Sequence, residues 1–448
     1  HYLTASLAVA ALTCFSTANA ATKTWNGSNT NNPAWYANTN WTPGVAPVDG
    51  DDLVFAGTTL LTHNSYANTD GDNVLELLTI TFDNTAGAFV INNGGGGTIK
   101  LQGDITNNST SLQTLNFPFQ LNADVTANAA AGDITIGGVI SEDGTARSLI
   151  KSGSNTLSLT GASTYTGTTD INAGKLQLGN GGTTGSLSTS SAIDIAAGAA
   201  FMVNRTDTVT QGTDFSTAAI TGAGFVVNAG DGTLVLGANS HTGGARLGYD
   251  NNDTESATRV IQVTDSSALG TGTLGFYKSG TFELGADALT ISNNVFSGNY
   301  SAPGNDKIIK LDLAGTATGT LSGDIDTRGG IFEGFQMDVG VADTLTLSGT
   351  ISTGAANAGQ SGITKIGDGT LIMSGTNTYD GTTSVNAGTL KLSGGSAIED
   401  IRDVFVDASG TLDLNGSNET INRLTGTGTI DNTASDGILT VGHNSATF

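Results

Sequence analysis

Residues 377–392 read NTYDGTTSVNAGTLKL, and residues 163–178 read STYTGTTDINAGKLQL: nearly the same stretch written twice, 214 residues apart and without a gap. In each copy two leucines stand two positions apart, Leu390 with Leu392 and Leu176 with Leu178. Side chains two apart on a strand share a face, so each pair predicts a short strand with one buried side. Val385 and Ile171 are expected to point inward one strand earlier. Between them, Asn386-Ala387-Gly388 and Asn172-Ala173-Gly174 predict tight turns, and Tyr379 and Tyr165 predict packing at a corner. Neither copy contains His, Cys or Arg, so the stretch has little with which to do chemistry.

The same spacing continues outward. Leu75/Leu77, Ile99/Leu101, Ile134/Ile136, Leu234/Leu236, Leu345/Leu347 and Val404/Val406 repeat it, separated by Gly, Asn, Asp, Ser and Thr. No window shows the apolar spacing of a helix. The chain is expected to be all-β, built of many short strands. A sandwich would need longer strands around one bounded core, and a propeller would show four-stranded blades every ~40–50 residues. A parallel β-solenoid over residues 61–448 fits better, each coil stacking its Leu, Ile and Val on the coil below. Coils of ~20–25 residues would give roughly 15–20 turns and a rod on the order of 75–95 Å long. Only 5 prolines among 448 residues suit a ladder that needs its backbone N–H groups.

The formal charge is −24, from 40 acidic and 16 basic residues. A nucleic-acid binder needs a basic face to displace counterions, and no Lys/Arg cluster exists, so nucleic acid is excluded as a partner. Residues 1–20 read as part of a signal peptide: an apolar run from Leu3 to Phe15, then Ala18-Asn19-Ala20, predicting cleavage after Ala20. The charged leader and initiator Met are missing, and the chain stops at LTVGHNSATF, so both ends read as truncated. The single cysteine, Cys14, falls in the signal, and Thr13 and Ala11 before it do not make a lipoprotein site. A secreted chain without disulfides must draw its stability from a large regular core.

Residues 21–60 differ from the rest, holding Trp25, Trp35 and Trp41 together with Pro33, Pro43 and Pro47. An aromatic, irregular segment at the head of a repetitive chain is expected to cap the open end of the solenoid, with a sugar-stacking patch as the alternative. No cofactor is expected. Calcium is the one alternative, because Asp49-Gly-Asp51-Asp52, Asp70-Gly-Asp72-Asn73 and Asp250-Asn-Asn-Asp253 gather oxygen ligands, though without EF-hand or nonapeptide spacing.

The longer units 148–180 and 362–394 resemble the autotransporter-associated β-strand repeat, with pattern roughly K-x-G-x-G-T-L-x-L-x-G-x-N-T-Y-x-G-x-T-x-V-x-A-G-T-L. The second unit carries it at Lys365, Gly367, Gly369, Thr370, Leu371, Gly375, Asn377, Thr378, Tyr379, Gly381, Thr383, Val385, Ala387, Gly388, Thr389 and Leu390. The first departs at Asn155 and Ser163, and a worn copy at 228–247 has His241 at the tyrosine position. The resemblance implies a right-handed parallel β-helix from a bacterial passenger region, secreted or displayed on the cell surface. It further implies export by an outer-membrane β-barrel or a sorting anchor. The partners implied are cell-surface or extracellular polysaccharide or protein.

Because β-solenoids also serve as polysaccharide lyases and glycosidases, an enzyme is the rival reading. Such chemistry needs paired carboxylates, or a base near acidic metal ligands. Asp324, Asp326 and Arg328, and Arg402 with Asp403, are the candidates, each in a Gly-rich turn where Asp also bends the chain. His1, His63, His241 and His443 stand far apart and without zinc-site spacing. GTGTLG at 270–275 meets a dinucleotide-binding pattern, but no helix is expected after it. The expectation is a structural or adhesive rod without catalysis.

Overall fold

The computed structural model describes residues 20–66, 73–95, 97–250, 258–298, 307–327, 334–353, 361–434 and 436–442. Residues 1–19 of the predicted signal, with Cys14 and His1, lie outside that set, as do Asp70, Asp72, Asp253, Arg328 and His443. Among the described residues the strands are two to nine residues long, and the one helical turn is Asn38–Asn40. Among the described residues all strand pairs are parallel except Thr22–Trp25 with Trp41–Thr42 at the N-terminal end. The chain is an all-β solenoid of about 15 turns, at the lower edge of the expected number. At a coil spacing of about 4.8 Å that is a stack on the order of 70 Å.

Three faces make up each coil. The strand Val74–Phe82 shows how the chain passes between two of them: residues 74–77 pair with Thr98–Leu101, while residues 80–82 pair with Ile105–Asn107. The first face then holds Thr98–Leu101, Phe119–Leu121 and Ile140–Glu142. The second holds Val125–Ala129, Leu149–Ser152, Thr169–Ile171 and Ile193–Ile195. The third runs unbroken as a 13-stranded sheet from Thr62–Ser65 to Ile351–Ser352. On the second face Leu149 pairs with Thr169 and Thr169 with Ile193, steps of 20 and 24 residues per coil.

Inward side chains join into one continuous cluster from Trp25 to Ile421. Leu176 and Leu178 lie directly over Leu157 and Leu159, and Leu390 and Leu392 over Leu371 and Met373. All eight are essentially inaccessible to water. Each such side chain contributes ~1.5–3 kcal/mol by burial, and the contribution repeats with every coil.

The copies of the repeat do not share a face. The first face is carried upward through hydrogen bonds from Thr164 N to Ile140 O, Ser163 N to Ser186 O, Leu187 N to Asp214 O and Gln211 N to Val235 O. It continues as the 10-stranded sheet that contains Thr233–Leu236 and Ile363–Ile366. The second face passes through Thr242 N to Gly222 O and Thr271 N to His241 O into the 7-stranded sheet with Leu289–Ile291 and Thr370–Met373. The lysine-bearing strand of the unit at 148–180 is therefore on the second face, its counterpart Phe225–Asn228 on the third, and Ile363–Ile366 on the first. Each copy begins one face further round the rod.

At the N-terminal end Trp25, Trp35 and Trp41 are no more than 1% exposed. Trp25 meets Trp41 edge-on at 5.1 Å and stacks on His63 at 4.2 Å, and Trp35 reaches Phe117 at 5.6 Å. These indoles cover the end of the core and leave no face for a sugar. His63 is enclosed by Trp25, Phe55 and Phe89, and burial pushes its pKa down to about 3, a backbone contact with Leu60 offsetting this slightly. Towards the other end Glu419 accepts from Ala397 N and Ile398 N, and burial pushes its carboxyl up to about 7.

The two ends should respond to pH in opposite senses. For His63 the folded pKa lies below the unfolded value of 6.5, so stability held above pH 6.5 is lost as pH falls towards about 3, by about 1.4 kcal/mol per unit. Urea unfolding followed by tryptophan fluorescence reports this end, because all three tryptophans are there; His63→Phe should flatten its acid dependence. For Glu419 the folded pKa lies above the unfolded one, so stability present below pH 4.5 is lost as pH rises through about 7. Amide protection factors in Glu419–Ile421 should therefore fall between those pH values, and Glu419→Gln should remove the trend.

Candidate interaction surface

In the repeats, the polar side chains turn out to serve the backbone. Lys151 and Lys365 are fully buried, on strands whose neighbouring inward positions are Leu149 and Ile363. The Lys151 ammonium donates to the carbonyls of Ser152, Gly153 and Ala173 at 2.6, 2.8 and 3.0 Å. Lys365 donates to Ile366, Gly367 and Ala387 at 2.7, 2.7 and 3.3 Å. Three protons thus meet three carbonyls that a turn would otherwise leave unpaired, and burial pushes both amines down to about 8. In the worn copy Asn228 does the same work with fewer protons, donating to Gly232 O and Val260 O.

Asn377 ties together three coils. Its Oδ1 accepts from Ile351 N below and its Nδ2 donates to Ala397 O above. Asn239 in the worn copy bridges Ile220 N and Ala268 O in the same way. Ser163 stands at that position in the first copy, and its buried hydroxyl finds no partner among the described residues. Tyr165 and Tyr379 are fully buried at the corners, their hydroxyls hydrogen-bonded to Thr169 and Thr383. Gly174 and Gly388 both turn with φ of +64°, and a Cβ at Gly388 would stand 2.4 Å from Gly369 O. The lysine and asparagine roles were hidden in the sequence, where their only signal is recurrence in a unit otherwise poor in charge.

The other candidates are scattered. Asp51 accepts from Ala21 N and Val48 N and lies 3.6 Å from the Lys23 ammonium; Asp49 accepts from Glu76 N; Asp52 accepts from Thr79 Oγ1. These three carboxylates point to separate partners. Ala20 is exposed, and Ala21 is already bonded to the sheet. Asp324 caps Thr350 N of the next coil. Arg402 pairs with Glu399, whereas Asp403 pairs with Arg423 and Asn422, and both line one hollow of about 180 Å³ together with Asp380. His241 is buried at a tyrosine corner beside Gly244 O, and burial lowers its pKa.

On the outside of the third face the aromatic rings are already covered. Arg246 lies over Phe225 at 3.5 Å and near Tyr277 at 4.9 Å, Lys175 sits over Tyr249 at 4.1 Å, and Tyr277 meets Phe296 edge-on. Nearer the N-terminus the situation differs. Asn32, Pro33, Ala34, Tyr36, Asn64, Tyr66 and Gly94 line a hollow of about 250 Å³. Tyr36 and Tyr66 meet edge-to-face there at 4.9 Å, and Tyr36 is 46% exposed.

Residues 149–178, 226–247 and 363–392 match the passenger-associated-transport-repeat family. Over 340 residues, 67% of the chain, the sequence is 30% identical to the adhesin BmaC autotransporter of Brucella suis biovar 1 (strain 1330). The chain spans 9% of that relative's length. No solved structure matches it. The chain carries three passenger-associated-transport repeats, and together with the adhesin likeness they support an autotransporter passenger repeat protein.

Lys365→Met keeps the stem and removes the donors, leaving the carbonyls of Ile366, Gly367 and Ala387 dry and unpaired. It should destabilise the coils around residues 363–392 by ~2–4 kcal/mol. Hydrogen exchange would localise the loss to those coils, as expected where each repeat contacts only its neighbours.

Proposed function

We propose that this chain is a segment of a secreted, surface-displayed rod whose role is structural and adhesive, and which performs no catalysis of its own. The observation that carries this is the fate of the repeat's polar groups. Lys151, Lys365, Asn377, Tyr165 and Tyr379 are spent inside the stack, satisfying backbone or hydroxyl partners. Of the candidate carboxylates, Asp324 is likewise held by a backbone N–H and Asp403 by a surface ion pair. The adhesin relative supports the adhesive half of the reading.

Export fits the same physics. A passenger without disulfides beyond its signal can cross an outer-membrane barrel unfolded, then gain its core coil by coil outside. The partners proposed are polysaccharide or protein of a cell surface or extracellular matrix. The −24 charge keeps the rod soluble and self-repelling at high density on a membrane.

Displayed from a carrier β-barrel on a non-adherent bacterium, the chain should raise attachment to cells or polysaccharide-coated surfaces over the carrier alone. The same polysaccharides should release no reducing ends and no unsaturated products. Product release would replace the rod reading by an enzyme, and unchanged attachment would remove the adhesive part of it.

A further inference from the structure

The hollow beside Tyr36 lies outside the repeats, and its lining is unlike the rest of the surface. Among the described residues no charged side chain lines it, in a chain of net charge −24. Its two phenols and the side chains of Asn32 and Asn64 make no side-chain hydrogen bond to another described residue. The backbone around them is fixed: Trp35 N donates to Asn64 O, Asn64 N donates to Pro33 O, and Gly94 N donates to Ser65 O. A Cβ at Gly94 would stand 2.2 Å from Ser65 O, so glycine keeps that wall bare. The site is thus rigid in its backbone, open in its side chains, and aromatic on one side.

A track leads away from it along the rod. Asn64, Asn92 and Asn116 pair in register on successive coils, and Asn116 Nδ2 donates to Asn92 Oδ1 at 3.0 Å. Carboxamides at coil spacing, about 4.8 Å, offer donors and acceptors in a row beside the aromatic pair. We propose that Tyr36, Tyr66, Asn32 and Asn64 form a binding site for a neutral oligosaccharide, with Asn92 and Asn116 extending it.

The chemistry selects that ligand class. A sugar ring presents a C–H face that stacks on an exposed phenol, and hydroxyls that both donate and accept, as carboxamides do. An anionic saccharide would find no cation among the described lining residues and would meet the field of an acidic protein. A cationic ligand would find no carboxylate among the described lining residues. The rings on the third face cannot serve instead, since Arg246 and Lys175 already occupy them. This site differs from the tryptophan patch considered from sequence, whose indoles are buried.

The test is calorimetric titration, with ligand-observed NMR, of the purified chain. Neutral tetrasaccharides of glucose, galactose and N-acetylglucosamine are the probes, and tetragalacturonate is the anionic one. At least one neutral probe should bind in the millimolar range or tighter, with little dependence on salt. Tyr36→Ala should weaken that binding by about tenfold or more, while Tyr36→Phe, which keeps the ring, should stay within about threefold. Because Tyr36 is half exposed, neither substitution should alter the circular dichroism or the melting temperature. No binding of any neutral probe, unchanged binding in Tyr36→Ala, or tighter binding of tetragalacturonate would each overturn the proposal. The measurement is made on the isolated chain, so its failure would leave attachment of the displayed rod untouched, and the reverse also holds.

Discussion

Parallel pairing of each coil with the next is the constraint on which everything else in this molecule depends. Every coil must offer its backbone in register to two neighbours and place an apolar side chain over the one below, as Leu390 does over Leu371. A side chain one position out of phase would face water with its whole strand. Turns are where this scheme runs short, because carbonyls there point away from the ladder. The buried polar residues of the repeat sit at those points, and each does what the missing strand neighbour would have done. Lys365 supplies three donors to a turn, and Asn377 supplies one acceptor and one donor across two coil boundaries.

Since the three faces are alike in this respect, nothing in the motif ties it to one of them. The copies at 149–178, 226–247 and 363–392 start on the second, third and first faces, and their tyrosine-position corners turn with them. Next to Tyr165, Thr164 N donates to Ile140 O on the first face; next to His241, Thr242 N donates to Gly222 O on the second; next to Tyr379, Thr378 N donates to Ile351 O on the third. Repetition therefore does not array one side chain along one side of the rod. Multivalent binding by a repeated surface motif would need copies that share a face, and here they do not. The site proposed beside Tyr36 is instead a single local feature, held at a fixed place by an indifferent stack.

Much of this was legible in the residues. The leucine pairs lie on strands, and Tyr165 and Tyr379 are fully buried. Those features are local, and a period of two expresses them directly. The number of faces and the shift of the copies between them were not legible, because both depend on coil lengths summed over many turns. Lys151 was recognisable as a repeat position but not as a carbonyl ligand, since its acceptors at Gly153 and Ala173 are backbone atoms that any residue could supply. Tyr36 was overshadowed by three tryptophans in the same segment. Larger rings carry more apolar area, so they were drawn into the cap, and the amphipathic phenol was left outside.

That division of labour explains why a chain so poor in reactive groups can still specify contacts. Inside the stack a polar group is tolerated only when every one of its partners is provided, which fixes its orientation and removes it from any other use. His63 and Glu419 show the cost of burial when the surroundings are less accommodating: one is held neutral against its ordinary pKa, and the other keeps its proton to about pH 7. Groups free to bind something must lie where the stack does not need them, on outward positions and at the margins of the cap. Asn64 and Asn92 stand on such positions, between inward neighbours that close the core, His63 and Ile91. The alternation that buries one side chain is what leaves the next available, so the proposed site lies on the outward half of the same two-residue period that builds the rod.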